Sequence, residues 1–234
     1  MKTIILPRVE LLAAAAQSVC ALLAEKPGAV LAVSAGESCL ALYDLLAALC
    51  AEGRLDLSRA RLFALTEFEG LAADDPRSCR AALQNHLVAP CGIPTERVSF
   101  LTGDNCERYD AEIAASGGLD LAILDVGING RIGFNEPATP YDSLTHRQKL
   151  THKSRVELAL KFGGEEQVPV FGLTAGIKTI VAAGKILVLA MGDSRAEAVY
   201  KMLYARTDSF VPAAFLQLPP QVEVYLDELA AGRL

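Results

Sequence analysis

The feature that most constrains this chain is an alternation, kept from end to end, of short apolar runs with longer segments of helical spacing. Leu11 to Ala24 is rich in Ala and Leu and stops at Pro27-Gly28, which predicts a helix with its terminator. Ala29–Ser34 is a short apolar run, and after a turn at Ala35-Gly36 the segment Ser38–Glu52 sets Leu42, Leu45, Leu46 and Leu49 at helical spacing. The same alternation predicts strands at Arg61–Leu65, Val98–Leu101 and Leu119–Val126 and helices at Ser78–Val88 and Cys106–Ala115, each bounded by Gly, Pro, Asp or Asn. A long irregular stretch follows. Beyond it, Val168–Leu173, Lys185–Ala190 and Val222–Leu226 read as strands and Ile177–Ala182 and Ser194–Tyr204 as helices. Apolar strands joined by helices pair in a mostly parallel sheet with both faces covered, so the fold expected is a doubly wound, Rossmann-like α/β architecture whose ligands bind at the carboxyl ends of the strands. With 234 residues, 52% of them apolar, and no repeat or linker, the chain is expected to form one such domain over residues 1–234.

Composition narrows the partners. The formal charge is −6 with mixed signs along the chain and no Lys/Arg-rich block, so a nucleic-acid partner is not expected. Val181–Leu189 contains Lys185 and Leu11–Leu23 is interrupted by Gln17 and Ser18, so neither run is a membrane span. The start, Met1-Lys2-Thr3-Ile4, does not read as a signal peptide, and the expected location is cytoplasmic. The 6 cysteines form no Cys-x-x-Cys pair and the 3 histidines show no ligand spacing, so no metal is expected.

Four segments stand where strand ends are predicted. Ser34-Ala35-Gly36-Glu37-Ser38 joins a strand to a helix N-terminus, where free N–H groups favour an anion; the plainer reading is a tight turn with Ser38 as cap. In Thr66-Glu67-Phe68-Glu69-Gly70 an apolar strand ends in polar residues, and Glu67 is either a proton acceptor or a solvated or arginine-paired carboxylate. The strand Leu119–Val126 runs into Gly127-Ile128-Asn129-Gly130-Arg131-Ile132-Gly133-Phe134-Asn135-Glu136-Pro137, whose Asn129, Arg131 and Glu136 suit a polar small molecule; the alternative is a structural loop closed by an Arg131–Glu136 ion pair. Met191-Gly192-Asp193-Ser194-Arg195 sets Arg195 near a helix start, in reach of an anion or simply on the surface.

Taken in order, these strings resemble the glucosamine-6-phosphate deaminase family, close to the 6-phosphogluconolactonases. Gly130 to Pro137 is similar to that family's Gly-His-Ile-Ala-Phe-Asn-Glu-Pro, and the Phe-Asn-Glu-Pro ending favours the deaminases; Thr151-His152-Lys153-Ser154-Arg155, Leu173-Thr174-Ala175-Gly176-Ile177 and Phe215-Leu216-Gln217-Leu218 are further matches. The resemblance implies an amino-sugar-phosphate isomerase/deaminase of carbohydrate metabolism that moves a proton between aldose and ketose forms, with or without loss of ammonia, and needs no cofactor. Relatives are commonly oligomeric, so it also implies self-association.

The family's catalytic Asp, ring-opening His and one supporting Asp correspond here to Thr66, Arg131 and Asn129, while Glu136 is kept. Threonine is no carboxylate base and arginine stays protonated with no lone pair, so neither can perform its predecessor's proton transfer. The catalytic expectation therefore rests on Glu67 as base, with Glu37 and Asp125 as the other candidates, and on Glu136 as the residue that orients the loop. Gly36, Glu37, Ser38, Thr66, Asn129, Arg131 and Arg195 are the substrate-binding candidates, Arg195 standing where the family has lysine. Glu37, standing where the family has a small hydroxyl residue, would repel phosphate unless paired with Arg131 or Arg195, or unless it meets a substrate amine. The rival reading is a sugar-phosphate-binding paralogue without turnover, a sensor or partner of an active relative; lactonase-type hydrolysis is a third.

Overall fold

The computed structural model describes residues 1–234. Seven strands, β1 (Lys2–Ile5), β2 (Val30–Val33), β3 (Arg61–Ala64), β5 (Val98–Ser99), β6 (Leu121–Asp125), β9 (Lys185–Ala190) and β10 (Val222–Leu226), form one sheet in the order β1-β10-β9-β6-β2-β3-β5, with every pair parallel. A second sheet, antiparallel, has the order β4-β8-β7, from β4 (Thr66–Phe68), β8 (Phe171–Thr174) and β7 (His146–Lys149).

The central strands β2, β6 and β9 are largely apolar on both faces because both faces are packed. Leu31, Val33, Leu121, Ile123, Leu187 and Leu189 point to one side, against Leu11, Ala15 and Val19 of α1 (Arg8–Glu25) and Leu42, Tyr43 and Leu46 of α2 (Glu37–Ala51). Ala32, Ala122, Leu124, Ile186, Val188 and Val224 point to the other. There they meet Tyr109 and Ile113 of α4 (Tyr109–Ala115), Ile177 and Ile180 of α6 (Ile177–Val181), and Val199 and Met202 of α7 (Ala196–Tyr204). Side chains with period two thus feed two cores, each fully buried Leu, Ile or Val contributing about 1.5–3 kcal/mol relative to exposure.

Four elements lie outside the sequence expectations. β1 is a largely exposed edge strand, β4 continues β3 through Leu65 into the second sheet, and the stretch read as irregular contains β7 and the helix α5 (His152–Phe162). α5 has defined ends: the Thr151 hydroxyl accepts from Ser154 N at 3.3 Å, and Gly163 closes it at φ 79°. Its sequence contains Lys153, Arg155, Glu157 and Lys161, so it is polar on average where α1 and α2 are apolar. The Ser78–Val88 helix is present as α3 (Cys79–Leu83) followed by a π-helical turn at Gln84–Val88.

Candidate active site

β2 and β6 lie side by side at the centre of the main sheet, with Leu31 opposite Leu121 and Val33 opposite Ile123. From β2 the strand order runs outward through β3 and β5; from β6 it runs the other way through β9 and β10. That divergence opens a crevice beyond the carboxyl ends of β2 and β6, the place where open α/β sheets bind ligands. Ser34–Gly36 and Asp125–Arg131 flank it, and the segment after β9 brings Arg195 to the same end.

Asp125, the last residue of β6, lies directly over the loop after β2. Its Oδ1 accepts from Ser34 Oγ at 2.7 Å, Ser34 Oγ accepts from Gly36 N at 3.3 Å, and Tyr43 donates to Ser34 O at 3.0 Å. A Cβ on Gly36 would collide with the Asp125 carboxylate, so glycine is required here for the approach of the chain's own side chain. α2 begins at Glu37 with Gly36 as its cap residue and no side-chain capping bond, so Ser38 is not the cap that the turn reading expects; it is buried in the first helical turn, and Glu37 is exposed.

Arg131 is buried and its guanidinium is committed within the protein. Nη1 donates to Gly133 O at 2.6 Å, Nε to Ser154 Oγ at 3.1 Å and Nη2 to Glu157 Oε2 at 3.3 Å. The Arg131–Glu136 ion pair of the alternative, structural-loop reading is therefore not made, and Arg131 pairs with Glu157 instead. Glu136 instead accepts from Asn129 Nδ2 at 2.6 Å, Thr151 Oγ1 at 3.1 Å and Thr151 N at 3.1 Å, which ties the loop to the start of α5. Arg195 Nη1 also pairs with Glu157, through Oε1, so the pairings weighed for Glu37 with Arg131 or Arg195 are not made. Burial pushes the Arg195 guanidinium below its usual value; Asp125 opposes that shift, Arg131 adds to it, and Glu37 opposes it.

Thr66 is buried at the head of β4, where Gly133, at φ 56°, has room only for hydrogen: a Cβ would lie 2.9 Å from Thr174 Oγ1 and 3.2 Å from Thr66 Cγ2. Glu67 projects to the opposite side of β4. Its carboxylate accepts from Phe68 N at 2.7 Å, Cys79 N at 3.0 Å and Arg80 N at 2.8 Å, which makes it the anion at the N-terminus of α3. The thiol of Cys79, 3.5 Å from Thr66 Oγ1, is pushed up to about 12 by burial, with the charge of Glu67 adding to the shift, and stays protonated.

The structure thus gathers Gly36, Asp125, Asn129, Arg131, Glu136 and Arg195 about the crevice, sets Thr66 behind the Gly133 turn, and turns Glu67 away. Three participants are not among the residues singled out from the sequence: Glu157, the Ser154 hydroxyl and Thr151. The signal for Glu157 was indirect, since a buried arginine without its expected partner requires another carboxylate.

The family described as glucosamine-6-phosphate isomerases/6-phosphogluconolactonase matches residues 8–225. A glucosamine-6-phosphate deaminase of Streptomyces avermitilis is 39% identical over 228 residues, covering 94% of this chain and 87% of the relative. One from Mycolicibacterium smegmatis is 39% identical over 244 residues, covering 100% and 93%. This chain belongs to that family. A solved monomeric glucosamine-6-phosphate deaminase superposes with a TM-score of 0.96 at 32% identity, with 100% of both chains covered. The 6-phosphogluconolactonase of Thermotoga maritima, at 20% identity and a TM-score of 0.76 with 97% and 99% coverage, shares the fold. The fold expected from the sequence is thereby matched, and the deaminase side of the family is the nearer one. No helix of the chain is long and apolar enough to cross a membrane.

Proposed function

We propose that this chain, acting as a unit over residues 1–234, converts an amino-sugar phosphate in the isomerase/deaminase manner of its relatives, and that Asp125 moves the proton. The carrying observation is how the carboxylates at the strand ends are occupied. Glu67 accepts three backbone N–H bonds, Glu136 is held by Asn129 and Thr151, and Glu157 bridges two guanidinium groups. Asp125 accepts one hydroxyl, from Ser34, forms no ion pair, and stands at the divergence of the sheet. A base must face the substrate with acceptor capacity to spare; Asp125 accepts a single bond at the crevice, whereas Glu67 is held by three backbone N–H groups on the other side of β4. It would take the proton from C2 of the open-chain amino sugar and return it to C1, which leaves an imine at C2; in the deaminating version water adds to that carbon, its oxygen becomes the ketose carbonyl, and the C–N bond breaks to release ammonia. Arg131 has no lone pair to catalyse ring opening, so the reaction draws on open-chain sugar already present in solution. No cofactor enters these steps.

The test is proton NMR with glucosamine 6-phosphate in deuterium oxide, following exchange at C2, ketose formation and binding. Wild type should exchange and form product; Asp125→Asn should slow both by about 10²–10⁴-fold while binding is kept. A full rate in Asp125→Asn would remove the base assignment. Binding with neither exchange nor product, at high protein concentration, would instead support the second reading, a sugar-phosphate-binding paralogue. That reading is favoured by the commitment of Arg131 to Gly133, Ser154 and Glu157. Self-association, implied by the resemblance, is weighed against the monomeric relative that covers the whole chain, and light scattering decides it.

A further inference from the structure

The two arginines at the crevice share one counter-ion. Glu157, on the inner side of α5 with its side chain 11% exposed, takes Arg195 Nη1 on Oε1, and Arg131 Nη2 on Oε2 at 3.3 Å; Ile128 N donates to the same Oε2 at 3.4 Å. The guanidinium side chains are 9% and 15% exposed, so the group is shielded from the solvent that would screen a surface ion pair. The loop after β2 is filled in the same sense, because the Asp125 carboxylate packs on Gly36. A phosphate entering this crevice would therefore meet two arginines that already share the Glu157 carboxylate and a loop already facing a second, that of Asp125, so two positive charges are matched by two negative ones, with Glu37 exposed at the head of α2.

We propose that Glu157 is the specificity-determining residue of the site: by acting as internal counter-ion to Arg131 and Arg195, it prevents the crevice from drawing much affinity from a ligand's phosphate. The substrate class that follows is an amino sugar recognised through its sugar and amine, with phosphate tolerated rather than required. This rests on the crevice being the substrate site, as proposed above. An incoming anion competes with the resident carboxylate for guanidinium groups already bonded, so removing that charge leaves both of them free for charge-assisted bonds.

The test measures dissociation constants of inorganic phosphate, glucosamine and glucosamine 6-phosphate for wild type, Glu157→Gln and Glu157→Asp, each first shown to be folded by circular dichroism. Wild type should bind glucosamine and glucosamine 6-phosphate within about threefold of each other. Glu157→Gln should bind inorganic phosphate and glucosamine 6-phosphate at least about tenfold more tightly, with glucosamine unchanged. Glu157→Asp, which keeps the charge but withdraws it by one methylene, keeps the experiment decisive if the glutamine variant does not fold, and should show a smaller gain of the same kind. A wild type that already prefers the phosphorylated sugar by tenfold or more overturns the proposal. So does a variant that binds phosphate no better, or that loses glucosamine and phosphate binding alike, as a purely structural role would require. Turnover separates the two readings: phosphate gain without product leaves this inference standing and removes the enzymatic one, whereas product without phosphate gain does the reverse.

Discussion

Glu67 shows how a residue's chemistry is decided by its neighbours. Read in sequence it is a carboxylate at a strand end, beside the position where the family has its catalytic Asp. In the fold, strand alternation sends Thr66 and Glu67 to opposite sides, and the carboxylate meets the free N–H groups at the start of α3. Glu67→Ala should therefore lower stability by about 2 kcal/mol, the magnitude of losing a charged N-terminal cap, and leave the rate per folded molecule unchanged. Urea unfolding and the exchange assay check the two halves. A rate loss of a hundredfold with unaltered stability would return Glu67 to the catalytic role expected from sequence.

Legibility was uneven among the elements, and for physical reasons. β6 and β9 are visible because a strand buried on both faces is apolar along its middle, β10 because only Glu223 interrupts its apolar run, and α1 and α2 because they are rich in Ala and Leu. β7 and α5 are not, since β7 alternates half-buried and exposed polar residues and α5 exposes Val156 and Leu160 while turning Ser154 inward. The glycine-rich loop is legible as a loop, but the Arg131–Glu136 pair of its structural reading is not made, because Arg131 pairs with Glu157 in a helix whose pattern the sequence does not display. The ends of α5 were nonetheless written in Thr151 and Gly163. At Gly163 an added side chain meets nothing within 4 Å, so only the left-handed φ of 79° opposes substitution. Gly163→Ala should cost about 1 kcal/mol by urea unfolding, with circular dichroism unchanged. A neutral result would mean that the helix end relaxes, and that Glu157 does not depend on this terminus for its position.

At the scale of the whole molecule, one contribution to stability against acid sits at the end of the sheet opposite the crevice, near the amino ends of β9 and β10. There Glu223 of β10 accepts from Ser18 of α1 at 2.8 Å and from Tyr225 at 2.9 Å, and pairs with Lys185 of β9 at 3.0 Å, so one carboxylate links a helix and two strands. Burial acts to raise its pKa, but the bonds from Ser18, Lys185 and Tyr225 outweigh it and hold the carboxyl below its ordinary value of 4.5. A carboxyl with a lowered folded value binds its proton more weakly in the folded than in the unfolded chain. Its contribution is then fully present above the ordinary value and is lost as pH falls through the lower folded one. Glu223→Gln should accordingly reduce the drop in urea midpoint between about pH 6 and pH 3.5, within the about 1 kcal/mol expected of a partly exposed pair, while other lowered carboxylates such as Glu69, bonded to Arg147, keep their share of the slope. The crevice lies at the far end of these strands, so exchange at C2 measured near neutral pH should be the same in Glu223→Gln and wild type. A variant that lost activity there would show that the link from α1 to the sheet also sets the geometry of β6 and β9 at the site.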